Sequence, residues 1–306
     1  MRQSLMILLS ALLMVGCGQS YEEQKQTRRQ QLRQHLRSDS AALKVAVVPT
    51  IDCLPVLVAS ERHFFDSLGV DVRIRRFNEQ MDGDTAIANR RVEMVVSDLV
   101  RMERLAQKGM PVEYLTATNA HWQLFTNRNQ RIRELKQLDD KMVAMTRYSA
   151  TDLLADMAVD SAKLKAERVF KVQFNDVHIR LRMLQNNEMD AMLLPEPQAT
   201  IARLGKHRML LDTRRMDLCL GVVAYNPKVM ADKTRQKQLK AFEKAYNRAC
   251  DSINAKGTRH YLSLLRSYYR IEPQQVDSLL DKVRFQHITK PREKDIDRAR
   301  AWLKKQ

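Results

Sequence analysis

The sequence predicts an α/β protein of two lobes, each an open sheet flanked by helices, with a helical C-terminal tail. Three observations carry this reading. From Leu43 onward, short apolar or alternating runs take turns with segments of helical period. The alternation falls into two series joined by two segments, near 118–122 and 214–220, that read as crossings between lobes. After Asn226-Pro227 the strand signals stop and every periodic segment reads as helix.

In the first series Leu43–Val48 is a strand, Pro49–Asp52 a loop, and Pro55–Phe65 a helix with proline in its first turn. Val70–Ile74 alternates apolar and polar residues and is the next strand. Thr85–Asn89 is helical, Val92–Val96 a strand, Asp98–Lys108 a helix closed by Gly109, and Val112–Ala117 a strand. Such a βαβαβ series implies an open, mostly parallel sheet with helices on both faces. The second series opens with Trp122–Thr126 as a crossing strand and Lys141–Met145 as a buried one. Ala150–Lys163 is an amphipathic helix, Val169–Phe174 a strand, Val177–Gln185 a helix and Ala191–Leu194 a strand. Pro195-Glu196-Pro197 opens a helix running to Arg203, Met209–Leu211 is a short strand, and Leu218–Tyr225 returns as a longer one. The tail reads as helices over Lys233–Ala255, Tyr261–Tyr268, Pro273–Lys282 and Pro291–Lys304.

Residues 2–17 comprise Arg2, an apolar run and Val15-Gly16-Cys17. The run is short for a bilayer span and no stop-transfer pattern follows, so it reads as a secretory signal. Gly16 directly before Cys17 resembles the lipobox of bacterial lipoproteins, with Met14 where Leu is usual. The resemblance implies that Cys17 is acylated, palmitate included, and becomes the new N-terminus. A multi-acyl anchor would hold the protein on the periplasmic side of the cell envelope. Residues 18–42, rich in Gln, Arg and Ser, lack the apolar side chains for a core and read as a flexible tether with transient helix. The expected organisation is 1–17 signal peptide, 18–42 tether, 43–120 plus 218–306 first lobe with the C-terminal helices, and 121–217 second lobe.

Hydrophobic residues make up 44% of the chain, enough for two cores once the signal is set aside. The formal net charge is +17, spread along the chain rather than clustered. With no recognition helix, aromatic RNA platform or zinc finger, nucleic acid is not an expected partner; anionic lipid or an acidic protein surface is. Cys53, Cys219 and Cys250 are an odd number in a compartment that permits disulfides, so one pair or three thiols both remain open.

Four passages resemble the periplasmic solute-binding proteins of ABC importers, in the two-lobed type II form and nearest the branch that binds nitrate, sulfonate, taurine and thiamine pyrimidines. They are Leu43–Val72 with His63-Phe64-Phe65 and Leu68-Gly69-Val70, then Ala88–Asp98 with Ala106–Val112. The third and fourth are Leu138–Ser149 and Leu184-Gln-Asn-Asn-Glu-Met-Asp-Ala-Met-Leu-Leu-Pro-Glu-Pro-Gln198. Together they cover about Leu43 to Val229. His63, Arg91 and Asn187 stand where glycine is common, which implies turn substitutions. The resemblance implies a lipid-anchored, monomeric substrate-binding protein that works without a cofactor or metal. It would capture a small polar solute, an amine-bearing heterocycle, a sulfonate or a related molecule, and hand it to an ABC permease.

Ligands of open α/β sheets sit at strand C-terminal ends where the strand order switches. This nominates Thr50, Asp52, Cys53 and Leu54, Ser97 and Asp98, and Asn119 with His121. From the facing lobe it nominates Thr146, Arg147, Tyr148 and Ser149, then Glu196 and Gln198. The Thr146–Thr151 turn precedes a helix, so it is either an anion-holding N-terminus aided by Arg147 or an ordinary Ser/Thr cap. Asp52, Asp98 and Glu196 point instead to a ligand with amino groups, with helix-dipole acids as the plainer account of the last two. No catalytic motif of hydrolase, metalloprotease or P-loop type occurs. Cys53 with His121 is the best nucleophile–base candidate, against packing or a disulfide to Cys219. An enzyme on the same fold, resembling thiamine-pyrimidine synthases, and a sensory lipoprotein are the alternative readings.

Overall fold

The computed structural model describes residues 21–280 and 283–306. The signal segment and Cys17 lie outside the described residues. The chain divides into two units, one ending at Ala42 and one of Leu43–Gln306. The first holds helix α1, Tyr21–Ala41, none of whose residues is buried. Gln, Arg, Glu and Lys are good helix formers that need no core, so a continuous helix stands where the composition reads as a flexible tether with transient helix. Among the described residues no helix is long and apolar enough to cross a membrane.

The second unit carries ten strands: β1 Leu43–Val47, β2 Val72–Arg76, β3 Met94–Asp98, β4 Glu113–Ala117, β5 Trp122–Thr126, β6 Lys141–Met145, β7 Val169–Gln173, β8 Ala191–Pro195, β9 Arg208–Asp212 and β10 Gly221–Tyr225. They form two five-stranded sheets, ordered β2-β1-β3-β10-β4 and β7-β6-β8-β5-β9. The helices are α2 Leu54–Glu61, α3 Gln80–Ala88, α4 Leu99–Gln107, α5 Ala150–Ser161, α6 Val177–Gln185, α7 Gln198–Leu204, α8 Lys233–Lys256, α9 Leu262–Tyr269, α10 Pro273–Leu280 and α11 Glu293–Leu303.

Each sheet is mixed but mostly parallel in sense, four of its five strands running one way and one against them. β10 runs antiparallel to β3 and β4, and β5 antiparallel to β8 and β9. The physical reason is the two crossings: β5 and β10 enter their sheets from the other one, without a crossover helix, and insert in the opposite sense. Inner strands such as β1, LKVAV, are buried at every position because both faces are covered. The edge strand β2, VRIRR, is half-exposed and carries Arg73, Arg75 and Arg76, charges that discourage pairing with another chain.

Three apolar clusters fill the unit. One packs β1 and β10 against α2, α8 and α9, with Phe65 stacked on Phe242 at 5.4 Å. A second is continuous from the first sheet to the second: Val95, Leu99 and Val222 pack in one cluster with Leu124, Val143, Leu153 and Leu154. The third lies under β8, α6 and α7. Helix α11 contributes Ile296, Ala299 and Leu303 to the shared cluster. Its Arg300 Nε donates to Glu103 Oε2 on α4 (2.8 Å), and its Trp302 Nε1 donates to Asp156 Oδ2 on α5 (2.9 Å). The last helix thus ties an element of each sheet to the other.

Several turns use left-handed backbone without glycine. His63 (φ 55°), Arg90 (φ 56°) and Asn187 (φ 61°) adopt it. The resemblance marks His63 and Asn187 correctly and misses the second turn by one residue, Arg91 for Arg90. The opposite case is Gly221, where the crossings meet. A Cβ there would lie 2.2 Å from Thr118 Oγ1 and 2.5 Å from Ala120 Cβ. Gly221→Ala is therefore expected to force the two crossing segments apart and to cost about 1–3 kcal/mol, the usual range for overpacking. Urea unfolding checks this, and an unchanged midpoint would contradict it.

Candidate functional site

Strand C-terminal ends of both sheets converge on one cavity. Its walls are Thr50, Ile51 and Asp52 after β1, Val96 and Ser97 in β3, Gln80 opening α3, Ala120, His121 and Trp122 of the first crossing, Pro195 ending β8 and Glu196 after it. It is narrow: as the two sheets stand, its free volume is about 10 Å³, room for about one water molecule. The two sheets close over it through backbone and side-chain contacts. Ile51 N donates to the Glu196 carbonyl (2.9 Å), and Gln198 Nε2 donates to the Pro49 carbonyl (3.1 Å).

Asp52 sits in a single 3₁₀ turn, Ile51–Cys53, that lets the chain bend from β1 into α2. Its Oδ2 accepts from Thr118 Oγ1 (3.0 Å), while Oδ1 is buried with no protein partner. Burial pushes the carboxyl above its ordinary range, against the opposing effect of the neighbouring Thr50 and Thr118 hydroxyls. Ser97 Oγ is likewise buried and unpartnered. His121 is held below its usual pKa by burial first and by the Arg214 charge second, so the imidazole stays neutral near pH 7. Glu196 is already satisfied within its own sheet. Oε1 accepts from Gln123 Nε2 (2.9 Å) and Arg203 Nη2 (2.8 Å), and Oε2 from Thr200 N (3.0 Å) and Oγ1 (2.8 Å).

Of the nominated residues, Thr50, Asp52, Ser97, His121 and Glu196 line the cavity, and Gln198 closes it. The others stand elsewhere. Cys53 and Leu54 are fully buried in the apolar cluster of the first sheet, because the turn that aims Asp52 outward points the next two side chains inward. The Cys53 thiol is pushed well up by burial and then by Asp52, and lies 3.7 Å from Thr50 Oγ1, which removes the thiolate a Cys53–His121 pair would need. Cys53, Cys219 and Cys250 are free thiols. Asn119 turns away and donates to the Arg284 carbonyl (3.3 Å), lining a separate depression with Cys219 and Tyr246.

The Thr146–Thr151 turn is also not at the cavity, and its N–H groups are taken by side chains. Thr151 Oγ1 accepts from Thr146 N (2.9 Å), Asp152 Oδ2 from Tyr148 N (2.8 Å) and Ser149 Oγ from Thr151 N (3.1 Å). Arg147 is exposed, and the Tyr148 ring lies 3.7 Å under the Arg104 guanidinium of α4. The anion at this helix N-terminus is Asp98. Its Oδ1 caps α4 by accepting from Arg101 N (3.1 Å) and also accepts from Ala150 N (3.0 Å), the first residue of α5. Trp122, which reads from sequence as a ring-stacking or core residue, lines the cavity, as do Gln80 and Pro195, which are not among the nominated residues. The signal for those two was position alone, Gln80 after β2 and Pro195 at the end of β8.

Two open mixed sheets of matching strand order, linked by two crossings and followed by C-terminal helices, make this a periplasmic-binding-protein-like fold. Residues 50–256 match the family model described as NMT1/THI5 like, and the chain belongs to that family. Solved structures agree on the fold at low identity. The alkanesulfonate-binding protein SsuA of Xanthomonas axonopodis pv. citri, bound to MOPS, matches with a TM-score of 0.73 at 12% identity, over 86% of this chain and 91% of that one. The periplasmic nitrate-binding protein NrtA of Synechocystis PCC 6803 matches with a TM-score of 0.69 at 13% identity, over 82% and 74%. The ligand-binding component of an ABC-type import system from Staphylococcus aureus, with zinc bound, matches with a TM-score of 0.70 at 13% identity, over 86% and 91%. Among curated proteins none matches the chain significantly.

Asp98 generates a pH prediction. Burial lifts its carboxyl from 3.8 to about 7, with Arg101 pulling the other way. The folded chain then holds this proton more tightly than the unfolded one. Its contribution to stability is full below about pH 4 and is lost as the pH rises to about 7. Asp98→Asn keeps the Oδ1 acceptor and removes the titration. Across that window the wild type should lose stability relative to the variant by up to about 1.4 kcal/mol per pH unit. Parallel stability curves in urea titrations at pH 4.5–7 would contradict this.

Proposed function

We propose that this chain is the lipid-anchored solute-binding component of an ABC import system. One observation carries the reading: a narrow cavity at the strand ends of two sheets, walled by both and lined by buried polar atoms without protein partners. Such atoms are costly to leave unpaired, and a bound solute would satisfy them. Family membership and the fold shared with import-system binding proteins support it.

In this account 43–120 with 218–306 and 121–217 are the two lobes, and the chain bends near 118–122 and 214–220. Opening separates Ile51 from Glu196, Gln198 from Pro49 and Asp98 from Ala150. Solute binding brings the lobes back toward these contacts around a cavity widened to hold the solute, and presents a closed face to the permease. A small solute suffices to trigger closure because the lobes already share an apolar seam through Leu99 and Leu153. Export and anchoring follow from the Arg2–Cys17 segment, with acylated Cys17 as the membrane attachment and the folded unit acting as a monomer.

Two outcomes test this. Small-angle scattering of the purified protein should show a smaller radius of gyration after addition of a dialysable extract of its medium or periplasm; unchanged scattering would contradict solute capture. Cys17→Ala should abolish incorporation of radiolabelled palmitate and release the protein from the membrane fraction, whereas full labelling of the variant would contradict anchoring at that residue.

A further inference from the structure

We propose that the solute taken by this cavity is a small organic cation, its N–H groups held by Asp52 and Ser97, and that anions are excluded; this rests on the solute-capture reading above. The first argument is electrostatic. The chain carries a net charge of +17, yet among the described residues lining the cavity there is no lysine or arginine. Of the two lining carboxylates Glu196 is paired with Arg203, and Asp52 forms no ion pair among the described residues. Arg203 and Arg214 lie behind the wall, engaged with Glu196 and Asp212.

The second argument is hydrogen-bond accounting. Asp52, 3% exposed, leaves Oδ1 unpartnered, and Ser97, 5% exposed, leaves Oγ unpartnered. An ionised carboxylate only accepts, so the group that satisfies Asp52 Oδ1 must donate; the Ser97 hydroxyl can accept from the same group. An ammonium or guanidinium brings several donors and also a charge opposite to the buried carboxylate. An anion could accept from the Ser97 hydroxyl but would bring acceptors and a like charge to Asp52. Trp122, Ile51, Val48 and Val96 supply apolar surface for the carbon atoms of such a molecule.

The third argument is that the place suited to an anion is taken. The N-terminus of α5 receives Asp98 Oδ1 from the first sheet, and the preceding turn is filled by Ser149, Thr151 and Asp152. The chain supplies its own carboxylate where an acidic solute would otherwise find donors.

The test is titration calorimetry of the full-length protein in detergent with five probes at equal ionic strength. They are methylammonium, ethanolamine and guanidinium chlorides against sodium methanesulfonate and sodium nitrate. At least one cation should bind ten-fold or more tightly than either anion. Asp52→Asn should weaken that binding at least ten-fold, and Ser97→Ala several-fold, the second variant serving if the first does not fold. Tighter binding of an anion, or cation binding untouched in both variants, overturns the cation assignment and leaves solute capture standing. Silence from all five probes overturns the assignment too. Unchanged scattering on addition of the extract would bring down the solute-capture reading itself.

Discussion

The carboxylate of Asp98 joins the two halves of this molecule. It ends β3 of one sheet, caps α4 and, with the same oxygen, receives the first N–H of α5 above the other sheet. Two helix N-termini therefore share one carboxyl oxygen as acceptor, which fixes this fully buried aspartate in place. Arg101, itself buried and paired with Asp84, adds a counter-charge behind it. The contact fixes how α4 and α5 approach each other. That approach sets the shared apolar cluster, the seat of Tyr148 under Arg104 and the face on which α11 docks. The cavity walls follow, since Ile51 can reach Glu196, and Gln198 can reach Pro49, only when the sheets stand in this relation.

The same arrangement divides the polar residues of the interface into two kinds. Glu196 and the Thr146–Thr151 turn are internally satisfied and act as scaffold. Asp52 and Ser97 each keep an unpartnered buried atom at the cavity wall. Two carboxylates at one interface thus have different chemistry, decided by whether their lone pairs are already filled. A binding protein needs both kinds: contacts that define the closed state, and unsatisfied groups whose cost is relieved only by the right solute.

Much of the fold was legible because the physics that sets it is local. Inner strands such as LKVAV and MVVSD are short apolar runs bounded by turns, and α4 shows helical period with an aspartate cap at its start. The resemblance in the Leu184–Gln198 passage likewise placed the turn at Asn187 that the backbone makes in left-handed conformation. The antiparallel insertion of β5 and β10 was not legible, since strand sense in a sheet depends on where the chain returns and not on the run itself. The site was half legible. Strand-end position found Thr50, Asp52, Ser97 and Glu196, yet position cannot tell an inward from an outward side chain, so Cys53 and Leu54 were nominated although they belong to the core. Asp98 and the Ser149 turn were each recognised as chemically apt, one as an acid and one as an anion-holding helix start. That they satisfy each other across the interface is a fact of tertiary structure alone.

The most direct measurement of the central claim is native mass spectrometry of the protein purified from its own membrane without refolding. The account requires an adduct of one small molecule on the wild-type chain, which is lost from Asp52→Asn. A bare chain mass for the wild type, or an adduct equally retained by the variant, would contradict the assignment of this cavity as the solute site.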